Sequence, residues 1–179
     1  MLSSRPERDV ARRAAGKTSC MEIRQSFDVD VPPAEVWAFL QDVPSVVPCM
    51  PGAELLEAGP DSYRGRLRLK LGAIAAEFEG TATVVERDDH ELRARVDASG
   101  ADRRGGNRAS ASISYRLHGT ELGTKVELVA EYRLQGPMAQ MGRGGLIQDI
   151  SAKLTREFAE CLRQRLASPP TDAPPDAAP

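Results

Sequence analysis

The sequence has little of what catalysis and metal binding usually require. Its 179 residues include two histidines, His90 and His118, and three cysteines, Cys20, Cys49 and Cys161. Both histidines fall at predicted turns or strand ends, where an inward-facing general base is not expected. The cysteines are odd in number and widely spaced, which does not indicate a disulfide framework or a metal site. Cys49 is interpreted as a residue of loop packing. No Ser/His/Asp pattern or metal-ligand spacing occurs.

Long apolar runs and strong net charge are also missing. Hydrophobic residues make up 41% of the chain, yet no stretch approaches the roughly 20 apolar residues of a membrane span. Residues 1–20 have a net charge of +3 and the rest has −5, which argues against nucleic acid as a partner. The first twenty residues lack the apolar run of a secretion signal, which predicts a cytoplasmic protein. We expect a disordered extension over 1–20, one domain over 21–167 and a disordered Pro/Ala-rich tail over 168–179.

The first periodic stretch is a strand followed by two short helices. Apolar and polar residues alternate from Met21 to Val31, as in a half-buried strand. Pro32 and Pro33 end that strand and begin a short helix, because proline suits the first helical turn. Asp42 is the predicted cap of a second short helix around Ser45 to Val47.

The middle of the chain predicts an antiparallel meander. A tight turn near Gly72-Ala73 would place Leu67 opposite Phe78 and Gly65 opposite Gly80. On the outer face, arginines at 66 and 68 would then meet glutamates at 79 and 77, so the basic row 64–70 is predicted to be a solvated face with cross-strand ion pairs. Further strands are predicted over 92–98, 109–117 and 126–134. The segment from Gly100 to Arg108 is predicted to be a glycine-rich loop.

The C-terminal part predicts one long helix. From Leu146 to Leu166 the apolar residues recur every three or four positions and form one stripe. Strand, two short helices, six more antiparallel strands and this helix define an α+β helix-grip fold: a curved seven-stranded antiparallel sheet wrapped round a long terminal helix.

Small residues dominate the predicted inner face of the sheet. They imply either close approach of backbones or an internal pocket, and we favour an apolar, elongated pocket. Polar groups in such a pocket would come from Gln25, Tyr63, Tyr115 and Tyr132. The predicted ligand-binding residues are Gly65, Leu67, Phe78, Gly80, Ala82, Ala94, Ala109, Ala111, Ile113, Tyr115, Tyr132, Met138, Met141, Gly142 and Gly145.

Five segments carry a family resemblance. VPPAEVWAFLQDV, VVPCMPGAE, LKLGAIAAEFEGTATVVERDD, ASGADRRGGNRASASISY and GPMAQMGRGGLIQDISAKLTREFAECL closely resemble the CoxG family, the G subunits of carbon monoxide dehydrogenase. That family lies within the START/Bet v 1-like helix-grip superfamily of ligand-binding domains. The resemblance covers about Met21 to Leu166, and its most specific part is the turn Cys49-Met50-Pro51-Gly52.

The resemblance implies an accessory subunit that accompanies a molybdenum hydroxylase and helps couple it to the membrane. We therefore expect a non-catalytic carrier with no covalent cofactor, holding a respiratory quinone or similar isoprenoid lipid. Its expected partners are that ligand, a carbon monoxide dehydrogenase-like complex and, transiently, the inner face of the plasma membrane. Two alternatives remain: a polyketide cyclase-like enzyme of the same superfamily, and a pure assembly or docking subunit.

Overall fold

A computed structural model describes residues 20–71, 74–143 and 145–167, with the side chains of 71, 74 and 141–143 excluded. In this part of the chain, seven strands and three helices follow one another in the predicted order. The strands are β1 (Met21–Val29), β2 (Ala53–Ala58), β3 (Ser62–Leu71), β4 (Ile74–Asp88), β5 (Arg93–Asp102), β6 (Asn107–Thr120) and β7 (Gly123–Gln135). The helices are α1 (Pro33–Gln41), α2 (Val43–Val46) and α3 (Leu146–Ala167), with 3-10 segments at Val47–Cys49 and Pro137–Arg143. The predicted tails 1–20 and 168–179 lie outside the described residues, apart from Cys20.

The strands form one antiparallel sheet in the order β1-β7-β6-β5-β4-β3-β2. The predicted pairing of β3 with β4 is confirmed: Leu67 lies opposite Phe78 and Gly65 opposite Gly80. The predicted turn at Gly72-Ala73 lies outside the described residues. The bounds of β2 were not predicted from the sequence, although a seventh strand was.

The prediction of a long glycine-rich loop from Gly100 to Arg108 is wrong. β5 continues to Asp102 and β6 begins at Asn107, which leaves a four-residue turn. Asp102, only 5% exposed, accepts hydrogen bonds from the backbone N–H groups of Arg104 and Gly105 at 3.0 Å each. Because the Asp102 carboxylate accepts hydrogen bonds from the backbone N–H groups of the turn that follows it, the two strands are joined by a tight hairpin.

The outer face carries both predicted ion pairs: Arg68 lies 2.8 Å from Glu77, and Arg66 lies 3.7 Å from Glu79. Arg64, which was not predicted to pair, donates to Glu79 at 2.6 Å. These hydrogen bonds and charges lower the pKa of both glutamates and raise that of Arg64 and Arg68. Because the groups face solvent, each pair contributes little to stability.

The densest part of the core lies at one end of the sheet, under α1. It consists of Val29, Val36, Trp37, Ala94, Leu117, Val126 and Leu162. Helix α3 runs along the β1 side of the concave face, where the Phe158 ring meets that of Phe27 edge to face at 6.0 Å. The predicted helix and its stripe are thereby confirmed, and Leu162 is fully buried.

A disulfide joins Cys49 to Cys161, with Cα atoms 5.3 Å apart. The prediction that the cysteines form no disulfide, and that Cys49 only packs a loop, is therefore wrong. The partners lie 112 residues apart in sequence, and only the fold brings α3 against the segment Val47–Cys49. Gly52 completes that turn with φ +80, and a Cβ there would lie 2.1 Å from the Arg68 carbonyl oxygen. This position therefore requires glycine.

Candidate ligand-binding site

The inward side chains of the central strands form a broad apolar surface that is incompletely covered. Nine apolar residues on it are only partly buried: Leu67, Leu69, Ala82, Val84, Val96, Ala98, Ala109, Ala111 and Ile113. Helix α3 lies mainly against β1 and the two 3-10 segments, so it leaves the middle of the concave face open. From Tyr115 to Ala109 along β6, this surface is about 20 Å long at roughly 3.4 Å per residue.

The pairing register arranges this surface in successive rows. One row contains Val84, Val96, Ile113 and Ala130, and the next contains Ala82, Ala98, Ala111 and Tyr132. The third contains Gly65, Gly80, Gly100, Ala109 and Leu134. The first row lies nearest the core end of the sheet, and the third lies nearest the segment Pro137–Arg143.

The predicted site residues divide into three groups. Seven of them lie together on the concave face: Leu67, Ala82, Ala109, Ala111, Ile113, Tyr115 and Tyr132. Met138 lies at the far end of that face. Phe78 and Ala94 are 7% and 4% exposed, and the latter belongs to the dense core. Gly145 precedes α3, whereas the side chain of Met141 and position Gly142 lie outside the described side chains.

The glycines of the third row have a structural cause. A Cβ on Gly80 would lie 1.9 Å from the Ser99 carbonyl oxygen, and one on Gly65 would lie 2.9 Å from that of Glu54. Close approach of neighbouring strands therefore explains both residues, and the interpretation of Gly80 as space for a ligand is wrong. The alanines and half-buried aliphatic residues carry the case for a site.

One hydroxyl near the core end is well placed to contact a ligand. Tyr115 accepts a hydrogen bond from the Gln41 amide at 3.2 Å, and its ring lies 6.1 Å from that of Trp37. Burial raises the pKa of Tyr115, so the hydroxyl stays protonated near neutral pH. The pKa of Tyr132 is also raised by burial.

The far end of the concave face is fastened by buried polar groups. Asn107, 4% exposed, donates to Asp102 at 3.1 Å and accepts from the backbone N–H of Met138 at 2.9 Å. These bonds join the β5–β6 hairpin to the segment that leads into α3. Hydrogen bonds from the turn's Gly105 N–H and the Asn107 amide lower the pKa of Asp102.

Two open grooves are also present on the surface. One, of about 780 Å³, runs between β1 and the solvent-facing side of α3 and includes Gln25 and Arg163. The other, of about 640 Å³, lies beside the β5–β6 turn and includes Lys70 and Met138. Charged side chains line both, so the concave face is the better candidate for an apolar ligand.

Within the described residues, no group of three or more His, Cys, Asp or Glu side chains is arranged to hold a metal ion. In the same part of the chain, no helix combines the length and apolar character needed to cross a bilayer.

The fold defines the class of protein first. A crystal structure of a conserved protein from Geobacillus kaustophilus matches with a TM-score of 0.68 at 17% identity, covering 82% of this chain and 95% of that one. The Zhui aromatase/cyclase from Streptomyces sp. R1128 matches at 0.61 and 13%, covering 83% and 94%. Ara h 8.0201 matches at 0.55 and 13%, covering 84% and 100%. The chain therefore has the helix-grip α+β fold that it shares with these structures.

The family follows from the sequence itself. The family model for CoxG, the G subunit of carbon monoxide dehydrogenase, matches residues 26–167. The chain therefore belongs to the CoxG family, as its sequence motifs predicted. No curated protein matches the sequence.

Proposed function

We propose that this chain is a non-catalytic carrier that binds a hydrophobic molecule on its concave face. The ligand is a respiratory quinone or a similar isoprenoid lipid. In this proposal the chain serves a molybdenum-containing, carbon monoxide dehydrogenase-type oxidoreductase and couples it to the membrane. The family to which the chain belongs, named for a component of that enzyme, supports the choice of partner.

The observation that carries the proposal is the incompletely covered apolar face of β3 to β6. Protein interiors normally pack to a density near 0.75. Here the aliphatic side chains of the first two rows remain partly exposed, although α3 arches over one side of the same sheet. A long apolar molecule would complete the packing and remove that surface from water, at about 25 cal/mol for each Å² buried.

The inward groups favour carriage over catalysis. Within the described residues of β3 to β6, no histidine points inward, and the inward carboxylate, Asp102, is occupied by three hydrogen bonds. Tyr115 stays protonated, and among the described residues its hydroxyl is hydrogen-bonded to the Gln41 amide and to no base. The fold shared with an aromatase/cyclase therefore does not by itself make this chain an enzyme.

Membrane contact is proposed at the segment before the Pro51-Gly52 turn. Val46 and Val47 are partly buried there, and Met50 is 42% exposed. Apolar side chains beside the disulfide would form a small rim for transient contact with a bilayer at the cytoplasmic face during ligand exchange.

The proposal is tested by extracting the purified chain with organic solvent, identifying bound lipid by mass spectrometry, and titrating the delipidated chain with a soluble quinone. Ala111→Phe, which points into the concave face, should weaken binding at least tenfold without unfolding the chain. Ser110→Phe, on the adjacent outward position, is the matched control and should bind normally. Ala111→Phe that binds quinone normally but loses about 1–3 kcal/mol of stability, as overpacking of a filled core does, would contradict the proposal.

A further inference from the structure

A β-bulge in β4 changes which residues face the concave surface. Val84 pairs with Val96, but the next pair is Glu86 with Arg95, so Val85 is the extra residue. A bulge of this kind shifts the alternation of side chains by one position. Continued alternation from Val84 would have placed Arg87 on the outer face.

Ion pairs on the outer face confirm the reversal. Arg93 reaches both Glu86, at 2.9 Å, and Asp88, at 3.5 Å. Since these two carboxylates lie on the outer face, Arg87 between them points to the concave face. Its side chain is 36% exposed and lies 3.9 Å from the Asp61 carboxylate, a loose contact at the rim.

The reversal aligns Arg87 with Tyr115. Arg87 pairs with Ala94, and Ala94 pairs with Tyr115, so the three residues form one row across β4, β5 and β6. Ala94 is small and only 4% exposed, which leaves the two longer side chains free to converge above it. This polar row, Arg87 with Tyr115, lies between the dense core and the first apolar row.

The polar row is rich in hydrogen-bond donors. The Tyr115 oxygen accepts from Gln41, so its own proton is available to a further acceptor. Arg87 carries five N–H donors and no acceptor. A partner for such a pair must bring acceptor oxygens, whereas an ammonium head group would meet only donors.

We propose that Arg87 and Tyr115 together bind an acceptor oxygen, a carbonyl or a carboxylate, at one end of an otherwise apolar ligand whose body lies along the apolar rows. This inference rests on the proposed carrier function and specifies how the ligand is oriented. A quinone offers such an oxygen as a carbonyl, and a fatty acid offers it as a carboxylate. The oxygen end lies toward α1, and the apolar end extends toward Pro137–Arg143.

Three probes of similar apolar length test the inference in the delipidated chain: decylbenzoquinone, a long-chain fatty acid and decylbenzene, which has no oxygen. Calorimetry measures the dissociation constant of each of the three probes. Quenching of Trp37, the single tryptophan of the chain, gives a second readout for the quinone. Tyr115→Phe keeps the ring beside Trp37, Arg87→Met removes the donors, and the outward Arg95→Met is the matched control.

Each of the two concave-face variants should weaken the quinone about tenfold, the loss typical of one hydrogen bond, and leave decylbenzene unchanged. Arg87→Met should weaken the fatty acid more than Tyr115→Phe does, because only the guanidinium pairs with a carboxylate charge. Arg95→Met should leave the affinity for all three probes unchanged. Equal losses for quinone and decylbenzene, or no loss for the quinone, would overturn the assignment and leave the carrier proposal standing. If none of the three probes binds the unaltered chain, both this assignment and the carrier proposal are wrong.

Discussion

Removing the Cys49–Cys161 disulfide should lower the free energy of unfolding by about 3–5 kcal/mol. The bond closes a loop between residues 112 positions apart. In the chain-entropy model, closing a loop of that length raises the free energy of the unfolded chain by about 5 kcal/mol. The stabilisation measured for disulfides is commonly about 2–4 kcal/mol. The expected loss lies within the range that these two estimates span together.

The native packing around the bond should survive its removal. Cys49 is 2% exposed, and α3 stays attached through the fully buried Leu162 and through the contact of Phe158 with Phe27. The loss should therefore arise mostly from the greater freedom of the unfolded chain, and the native far-ultraviolet spectrum should stay the same.

Equilibrium unfolding in urea compares the oxidised chain with the double variant Cys49→Ala/Cys161→Ala. Cys20→Ala is the matched control, because Cys20 is an exposed free thiol, and it should leave stability within about 0.5 kcal/mol. Alkylation of the native chain, read by mass, should label Cys20 alone. Rapid labelling of all three thiols without reductant, or a double variant as stable as the oxidised chain, would refute the reasoning.

Four further outcomes are expected, three in urea or thermal unfolding and one in acid titration. Phe158→Ala should cost about 3 kcal/mol through the lost contact with Phe27 and the cavity left behind, and a harmless change would place the buried face of α3 elsewhere. Gly145→Ala should destabilise by about 1–2 kcal/mol, because this residue has φ +75; a neutral result would dispute that backbone. Gly80→Ala should cost about 2–3 kcal/mol, since its Cβ would overlap the backbone of β5, and unchanged melting would exclude that close approach. The pKa of Asp102 is lowered from 3.8 by hydrogen bonds, first from the turn's backbone N–H groups. Its contribution to the free energy of unfolding is therefore fully present above pH 3.8 and is lost as pH falls through the lowered pKa of the folded chain. An acid titration of stability that is unchanged in Asp102→Asn would contradict this.

Much of the fold could be predicted because each element repeats a simple period. Alternation fixed the inward face of β1, and the three-to-four spacing fixed α3 from Leu146 onward. The β3–β4 register followed from a tight turn between two alternating runs, which leaves a single arrangement that buries Leu67 with Phe78. Local pattern and tertiary packing agree in these places.

The candidate site was harder to predict because it depends on long-range geometry. Small side chains are compatible with a pocket or with close backbones, and only the structure separates Ala111 from Gly80. Two adjacent valines, Val84 and Val85, hide the bulge that turns Arg87 inward. No local pattern signals a bond between cysteines 112 residues apart, and the sequence around Gly145 does not reveal its positive φ.

The pairing of the first strand with the last constrains how this protein folds. Met21 of β1 lies opposite Tyr132 of β7, 111 positions later, and α3, which packs on β1, comes later still. During synthesis, β1 therefore cannot pair with β7 until nearly the whole domain has been made, although it is amphipathic. Contacts between such distant segments carry a large loop-closure cost and slow folding. The meander β3 to β6 needs only neighbouring strands and is free to assemble first, whereas the side of the sheet that holds α3 closes last.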